Sequence, residues 1–525
     1  MSFISLQFLC FLCVIGILYY AVPPKFQSKV LLFANVSFYL FSGWKPTILL
    51  AISVIFTHLF SCRIGDVHKE QARLLAYKQQ TKAKTATIQD NCKRQRKRLL
   101  FIALFVNLGL LAFFKYFNFF YRSVVSIFST SQTISPFNLI LPLGISFYTF
   151  QITGYLIDVY RGKYAPEKSL EKFALFATFF PQIVQGPISR YNELAPQLFE
   201  KKKINYKTIS YGLQLMLWGY FKKLVIADRI GILVSTVFDN WNDYSGFVLI
   251  VATLFFSVQI YADFSGFIDI ARGAAEVLGV HLPQNFNHPY FSKTMPEFWR
   301  RWHITLGTWF KDYVFFSVSV SGFCLKLNKL FRKRFGNRIG RAASACIPIL
   351  AVWICTGIWH GAAWKYVAWG LYHGALIMLG LCFAPEISKL TNVLKIRTDC
   401  NSWRIFQMVR TFLLCTIGRT FFRADGFMAA IGILKNSLVF NPWVLTDGTF
   451  LKLGLDRPNF VLCILSIAVL LIISLMQEKF SVRKKLQEQN IVFRWLVYYV
   501  AIFSIIIFGI YGPDYNASEF IYGQF

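Results

Sequence analysis

Histidine side chains are the first candidates for chemistry in this sequence, because an imidazole can exchange a proton near neutral pH. The chain has seven of them. His360 stands in Gly357–Trp364, where small residues would let a ligand approach closely and two tryptophans would exclude water. Its imidazole could take the proton from an attacking hydroxyl group or stabilise a developing negative charge. By position alone, His360 could also be a buried histidine bonded to a backbone carbonyl.

A second histidine, His303, lies in a segment whose pattern predicts one amphipathic helix, interfacial or re-entrant, over Thr294–Tyr313. Thr294 and Glu297 form a capping box that marks the start of the helix. Large apolar residues then recur at helical spacing, with charged residues on the other faces. The apolar stripe consists of Trp299, Trp302, Leu306, Phe310 and Tyr313. His303 belongs to this stripe, so we expect its imidazole to be buried.

A third histidine, His373, follows His360 by 13 positions. On a continuous helix this spacing separates the two imidazoles by about 20 Å. They cannot share one proton unless the chain folds back between them, so we expect a structural role for His373.

The sequence motifs of serine hydrolases, P-loop NTPases and dinucleotide-binding proteins are absent from the sequence.

The composition indicates that the elements around these histidines lie in a lipid bilayer. Of 525 residues, 55% are hydrophobic and only 15% are charged, whereas soluble proteins carry about 25% charged residues. A spanning helix needs roughly 20 apolar residues, and we count about eleven to thirteen hydrophobic segments. The sequence predicts an all-α, multi-pass protein of the cell membrane, with one domain over residues 1–525. Its parts are N-terminal spans with a basic loop (1–135), a core with the histidine motifs (136–375) and C-terminal spans (376–525).

The net charge of +31 is concentrated in basic segments between the apolar runs. Arg63–Arg98 holds eleven Lys or Arg residues against three acids, and Lys326–Arg341 holds seven against none. Basic loops tend to stay in the cytosol, so we place both there and Gly512–Phe525 outside. No nucleic-acid-binding motif accompanies the charge. The eleven scattered cysteines form no metal-binding pattern, so we expect neither nucleic acid nor a metal.

Several apolar stretches contain ionisable residues, which are costly at membrane depth and usually face a protein interior or a water-filled cavity. In this chain they either have such a placement or simply mark the ends of helices. The residues are Lys222, Lys223, Asp263, Asp269, Arg419 and Arg423.

Five stretches resemble the bacterial branch of the membrane-bound O-acyltransferases, the branch that includes the alginate O-acetylation protein. Their sequences include PLGISFYTFQITGYLIDVYRG, FPQIVQGPISR, YADFSGFIDIA, EFWRRWHITLGTWFKDY and WHGAAW. They occupy Pro142–Gly162, Phe180–Arg190, Tyr261–Ala271, Pro283–Tyr313 and Gly357–Gly374. From the order and spacing of these motifs, the chain is identified as a member of the family.

The resemblance implies a helical bundle with a funnel or tunnel that joins the two membrane faces, and with re-entrant or interfacial helices. It implies that His360 is the catalytic histidine and that His303 occupies the second polar position of the active site. The His360 imidazole would deprotonate the acceptor oxygen, while His303 or a nearby donor would position the group or stabilise the oxyanion. We assign substrate binding to Trp359, Trp302, Asp263 and Ser265.

The resemblance also implies substrates and partners. Acetyl-CoA is the expected acyl donor, as a substrate, and no cofactor is expected. Its negative charge suits the basic segments of the cytosolic side. The expected acceptor is an exported or cell-surface polysaccharide, reached with a separate extracytoplasmic acetyltransferase partner. Two alternatives are D-alanyl transfer to teichoic acid and a non-enzymatic component of polysaccharide export.

Two further stretches bear on the resemblance. The C-terminal Phe520–Phe525 resembles the aromatic ending of the small partner peptide of teichoic-acid D-alanylation. This makes Tyr522 a candidate acyl carrier, and the alternative is an aromatic anchor at the outer membrane interface. Val314–Gly322 reads VFFSVSVSG where such proteins continue with a proline- and glycine-containing turn, which leaves the shape of the donor entrance open.

Overall fold

The computed structural model describes residues 1–76, 81–128, 137 and 141–511, which form helices joined by turns. Within these ranges there is no β-strand, and extended residues pair only at an isolated bridge between Phe286 and Trp302. The structure therefore confirms the all-α class. The segment 512–525, with the candidate acyl carrier Tyr522, lies outside the described residues.

The chain divides into two compact units. The first consists of Met1–Leu213 and Ala271–Pro283, and the second of Gln214–Ile270 and Gln284–Phe525. The single domain over residues 1–525 and the tunnel between the membrane faces stay predictions.

The first unit contains helices of very different length. In the described part they are α1 (Leu6–Ala21), α2 (Gln27–Leu40), α3 (Trp44–Leu75), α4 (Lys82–Phe128), α5 (Ile145–Tyr160), α6 (Leu170–Thr178), α7 (Phe180–Ile183) and α8 (Tyr191–Phe199). Gly65 lets the loop after α5 pack directly on the backbone of α3. A Cβ atom at this position would lie 2.3 Å from Cγ of Pro166, so no larger residue fits without a shift.

The basic segment Arg63–Arg98 is helical over residues 63–75 and 82–98, and this corrects the predicted loop. It forms the end of α3 and the start of α4. Lys, Arg, Gln and Ala are strong helix formers. Ion pairs one turn apart add support, as between Arg94 and Asp90 at 2.8 Å. The cytosolic position of the segment stays a prediction.

The second unit begins within α9 and contains most of α11. The described helices from α9 onward are α9 (Tyr206–Tyr220), α10 (Asp228–Asp239), α11 (Phe247–Val277), α12 (Met295–Arg301), α13 (Ile304–Phe310), α14 (Phe316–Ser319), α15 (Gly322–His360), α16 (Trp364–Cys382), α17 (Ala384–Val393), α18 (Asn401–Arg423), α19 (Phe427–Asn436), α20 (Arg457–Gln477), α21 (Val482–Gln487) and α22 (Ile491–Phe508). Two π-helical stretches, Phe221–Ala227 and Lys311–Phe315, follow α9 and α13. Such stretches are frequent at functional sites.

Six helices of the described residues are long and apolar enough to cross a membrane. They are α3, α4, α11, the second part of α15, α20 and α22. Two bent pairs raise the number to eight, namely Ile304–Ser319 with Gly322–Arg338, bent by 64°, and α16 with α17, bent by 60°. The chain is therefore a multi-pass membrane protein. The hydrophobic segments counted in the sequence are more numerous because several of them form short or bent helices.

The second predicted basic loop, Lys326–Arg341, is also helical. It belongs to α15, whose backbone kinks at Gly336, where φ is 77°. Glycine adopts this conformation without the steric cost that other residues meet. The kink separates a basic first part of α15 from the apolar stretch Gly340–His360, which is long enough to span. The basic residues of this region therefore project from a helix and not from an irregular loop.

α15 and α16 form an antiparallel hairpin that carries the predicted catalytic motif at its turn. Their backbones approach closely at two glycines. A Cβ atom on Gly370 would lie 2.4 Å from the carbonyl oxygen of Trp353, and one on Gly357 would lie 2.6 Å from that of Tyr366. Small residues permit such close helix packing in membranes. The glycines of the motif thus fix the hairpin that positions His360.

Candidate active site

His360 is the last residue of α15, at the turn of the hairpin. Gly361 follows with an extended backbone, and its Cβ would lie 2.3 Å from the Tyr366 ring, so the turn folds tightly onto α16. The imidazole is 3% exposed. Its ring centre lies 4.7 Å from that of Trp369 and 5.4 Å from that of Phe422. Aromatic rings therefore enclose His360. Of the two tryptophans expected to exclude water, Trp359 packs on the imidazole at 4.9 Å, whereas Trp364 is 62% exposed, so the prediction is wrong for Trp364.

The segment Thr294–Tyr313 begins as predicted. The Thr294 hydroxyl accepts a hydrogen bond of 3.3 Å from the backbone N–H of Glu297, which confirms the N-terminal cap of α12. His303 is 3% exposed, so its predicted burial is also confirmed.

The prediction of one continuous helix over this segment is wrong, because the chain breaks between α12 and α13. His303 lies at the break with φ 48° and ψ 53°, a left-handed conformation that non-glycine residues rarely adopt. The backbone N–H of Ile304 donates to the carbonyl of Asn285 at 3.0 Å and so leaves the helical pattern. Backbone strain of this kind clusters at functional sites.

The structure brings His303 and His360 against the same indole. The ring centre of Trp359 lies 5.7 Å from that of His303 and 4.9 Å from that of His360. His303 also packs on Phe264 of α11 at 4.8 Å. A reaction beside these two imidazoles would proceed away from bulk water, where charge stabilisation is strongest. The catalytic roles of the two histidines and the substrate contact of Trp359 stay predictions.

Asp263 lies within α11 and forms a buried ion pair with Lys223. The Lys223 Nζ lies 2.8 Å from Asp263 and 2.7 Å from Asp228. The side chains of Lys223 and Asp263 are 2% and 1% exposed. A buried charge is tolerable when an opposite charge compensates it. These residues therefore do not mark helix ends, and substrate binding by Asp263 stays a prediction.

Ser265 also contacts a lysine of the π-helix, the neighbouring Lys222. Lys222 donates to the Ser265 hydroxyl at 2.8 Å and lies 2.7 Å from Asp269. The π-helix turns both lysines toward α11, next to a crossing where a Cβ on Gly219 would lie 2.6 Å from the carbonyl of Gly266. The hydroxyl of Ser265 thus serves an internal contact, and its assignment to substrate binding stays a prediction.

Trp302 packs among aromatic rings and a buried guanidinium. Its ring stacks on Phe298 at 5.6 Å, and the Arg419 guanidinium lies 4.8 Å from its centre. Arg419 also lies 5.0 Å from the ring of Tyr290. Such cation–π contacts offset part of the cost of burying the charge. Contact between Trp302 and a substrate stays a prediction.

A small cavity of about 10 Å³, which has room for a single water-sized group, lies next to Trp369 and Phe422, the two aromatic residues that pack on His360. It is lined by Ile260, Phe298, Trp299, Trp302, Trp369, His373, Cys415, Arg419 and Phe422. His373 lies 5.0 Å from Trp369, one turn earlier on α16, and the hairpin brings His360 to 4.7 Å from the same indole, so the two histidines are one indole apart. The separation for a continuous helix does not apply. His373 Nδ1 and Trp299 Nε1 are buried and find no hydrogen-bond partner among the described residues.

Three residues of this site were not singled out from the sequence. Trp369 and Phe422 are apolar residues within helices, and nothing in the pattern separates them from ordinary core residues. Asn285 gave a signal, because it lies in Pro283–Tyr313, one of the five stretches that carry the resemblance. Within the described ranges, no group of three His, Cys, Asp or Glu side chains could hold a metal ion.

Comparisons with known proteins identify the family of the chain. The sequence model of the membrane-bound O-acyltransferase family matches residues 165–424. The "Probable alginate O-acetylase AlgI" of Pseudomonas aeruginosa is 32% identical over 461 residues, which cover 86% of this chain and 77% of that protein. The "Peptidoglycan O-acetyltransferase" of Helicobacter pylori is 30% identical over 80% of this chain and 76% of its own length. The "Teichoic acid D-alanyltransferase" of Bacillus subtilis is 32% identical over 46% of this chain and 59% of its own.

The family whose model matches is a class of membrane-bound acyltransferases. The chain belongs to the membrane-bound O-acyltransferase family. It is an acyltransferase, and the predicted family is confirmed. The alignments with O-acetyltransferases, which extend over most of the chain, support a membrane O-acetyltransferase.

Proposed function

We propose that this protein passes an acetyl group from cytosolic acetyl-CoA to an exported or cell-surface polysaccharide, together with an extracytoplasmic acetyltransferase partner. The observation that carries the proposal is the placement of His303 and His360 against Trp359. The names of the relatives that align over most of the chain supply the acetyl group and the polysaccharide class.

In the proposed step, His360 takes the proton of the acceptor hydroxyl, and the oxygen attacks the thioester carbonyl carbon. A new C–O bond forms, the C–S bond breaks, and the leaving thiolate receives the proton from the imidazolium. The aromatic wall of Trp369 and Phe422 keeps water from competing as the acceptor. The basic residues of Arg63–Arg98 would attract the polyanionic donor.

The test is acyl transfer by the purified protein in liposomes. With labelled acetyl-CoA we expect release of free CoA and label in an ester product once acceptor and partner are present. D-alanyl carrier-protein thioester is the comparison donor, because the partial alignment with teichoic acid D-alanyltransferases makes D-alanyl transfer the second candidate. If the protein turned over the D-alanyl donor and not acetyl-CoA, D-alanyl transfer would replace acetyl transfer as the proposed function. A folded protein that uses neither donor would refute both proposals.

We propose Tyr522 as the acyl carrier on the external tail, which lies outside the described residues. An acetylated tyrosine is a phenyl ester, which is more activated than an alkyl ester, so a partner hydroxyl could accept its acyl group. Tyr522→Phe deletes only the oxygen, and we expect it to lower polysaccharide ester content nearly to background. Tyr511→Phe deletes a hydroxyl from a neighbouring exposed tyrosine and should keep the wild-type ester level. Normal ester content in Tyr522→Phe would leave the tail as a membrane anchor.

A further inference from the structure

The side chain of Asn285 is fully buried and lies directly against His303. Its Oδ1 atom lies 3.3 Å from His303 Nδ1 and accepts hydrogen bonds of 3.0 Å from both the backbone N–H and the hydroxyl of Thr305. Its backbone carbonyl accepts from Ile304. Asn285 thus holds the break between α12 and α13 through its backbone and contacts the imidazole through its side chain.

The backbone N–H of Thr305 identifies which end of the amide faces His303. A backbone N–H can only donate, so the amide atom 3.0 Å away from it must be the oxygen. An amide oxygen can only accept, and the same atom faces His303 Nδ1. The proton of the neutral imidazole must therefore be on Nδ1, which leaves a lone pair on Nε2.

The lone pair on Nε2 of His303 is available to accept a hydrogen bond. Nε2 is buried and has no hydrogen-bond partner in the part of the chain that the structure describes. The ring is held between Phe264 and Trp359. The left-handed backbone of His303 fixes the direction of the side chain. A buried polar atom without a partner requires an explanation, and a bound substrate group is one.

We infer that Asn285 is a positioning residue that holds His303 in the Nδ1–H tautomer, so that Nε2 binds a hydrogen-bond donor of the substrate, a hydroxyl or amide N–H. This inference rests on the proposed function for the identity of the substrate. It changes the expected role of His303, because a neutral imidazole without a proton on Nε2 cannot donate to an oxyanion there. Since a reacting hydroxyl has one proton, which goes to His360, the group bound by His303 is a second donor of the substrate.

The tautomer can be measured without any activity. Protein labelled with ¹⁵N-histidine is compared by solid-state NMR with the His303→Gln variant, and the signals that disappear belong to His303. We expect the shifts of a neutral ring protonated at Nδ1. Signals of a ring protonated at Nε2 would overturn the inference, even if the proposed acetyl transfer is correct.

Variants of Asn285 test the consequence for turnover. Asn285→Leu removes the acceptor for Nδ1–H, and we expect kcat to fall by about 10²-fold, the scale of a substrate held out of position. Asn285→Asp keeps an acceptor oxygen and should recover activity to within about tenfold of wild type. Thr305→Val is the matched control, because it removes another hydrogen bond to the same oxygen and leaves the one to His303. Thr305→Val should lower kcat by about fivefold or less, the factor that corresponds to one ordinary hydrogen bond.

The outcomes separate a positioning role from a purely structural one. Thermal unfolding in detergent verifies that each variant is folded. Equal loss of activity in folded Asn285→Leu and Asn285→Asp, or wild-type activity in Asn285→Leu, would overturn the inference. A wild-type protein that transfers no acyl group would refute the proposed function, while the NMR comparison would still decide the tautomer.

Discussion

His360→Ala is expected to abolish acyl transfer while the protein stays folded in the membrane. The substitution removes the group that takes the proton from the acceptor, and a loss of at least about 10²-fold in kcat is the usual consequence. Transfer is measured with labelled acetyl-CoA in liposomes, or as ester content of the cell-surface polysaccharide.

His373→Ala is the matched control for this experiment. Both histidines are buried, and both pack on the indole of Trp369, at 4.7 Å for His360 and 5.0 Å for His373. Each substitution deletes an imidazole that packs on the indole of Trp369, so the two variants lose similar packing. We expect His373→Ala to keep most of its activity. Near-normal transfer in His360→Ala, or equal losses in both variants, would contradict the assignment of His360.

Lys223→Met is expected to destabilise the protein more than any surface substitution. Lys223 compensates Asp263 and Asp228 at 2.8 and 2.7 Å, so its removal takes a counter-charge from the buried carboxylate of Asp263 and from the partly buried carboxylate of Asp228. Breaking a buried pair in this way typically costs about 3–5 kcal/mol. We expect a clearly lower unfolding temperature in detergent. It is measured by fluorescence-detected size-exclusion chromatography of heated samples.

Two further variants define the cause of that loss. Lys485→Met makes the same chemical change at an exposed pair with Glu488, at 3.0 Å, and should change stability by less than about 1 kcal/mol. Adding Asp263→Asn to Lys223→Met removes one of the stranded carboxylates and should recover part of the unfolding temperature. An unchanged unfolding temperature in Lys223→Met would show that the buried charges do not stabilise the second unit.

Local patterns in the sequence determined the environment and several elements of this protein. Hydrophobic content predicted a helical membrane protein, because each backbone polar group in lipid needs a partner within the helix. The capping box at Thr294 predicted the start of α12, because its hydrogen bond joins residues three positions apart. The burial of His303 followed from its place on an apolar stripe. The small residues and tryptophans around His360 made it a candidate, although only family resemblance singled it out from an ordinary buried histidine.

The tertiary structure decided the features that depend on distant partners. The break at His303 exists because Asn285, 18 positions earlier, accepts hydrogen bonds from the backbone N–H groups of Ile304 and Thr305, which would otherwise continue the helix. Trp369 connects His360 with His373 only after α16 has folded back on α15. Lys222 and Lys223 pair with Asp269 and Asp263 of α11, which no local pattern could predict. Hydropathy and caps act within one or two turns, whereas these contacts depend on how separate helices pack. The sequence therefore determined the membrane, the helix types and the candidate histidines, and packing alone decided the geometry of the site.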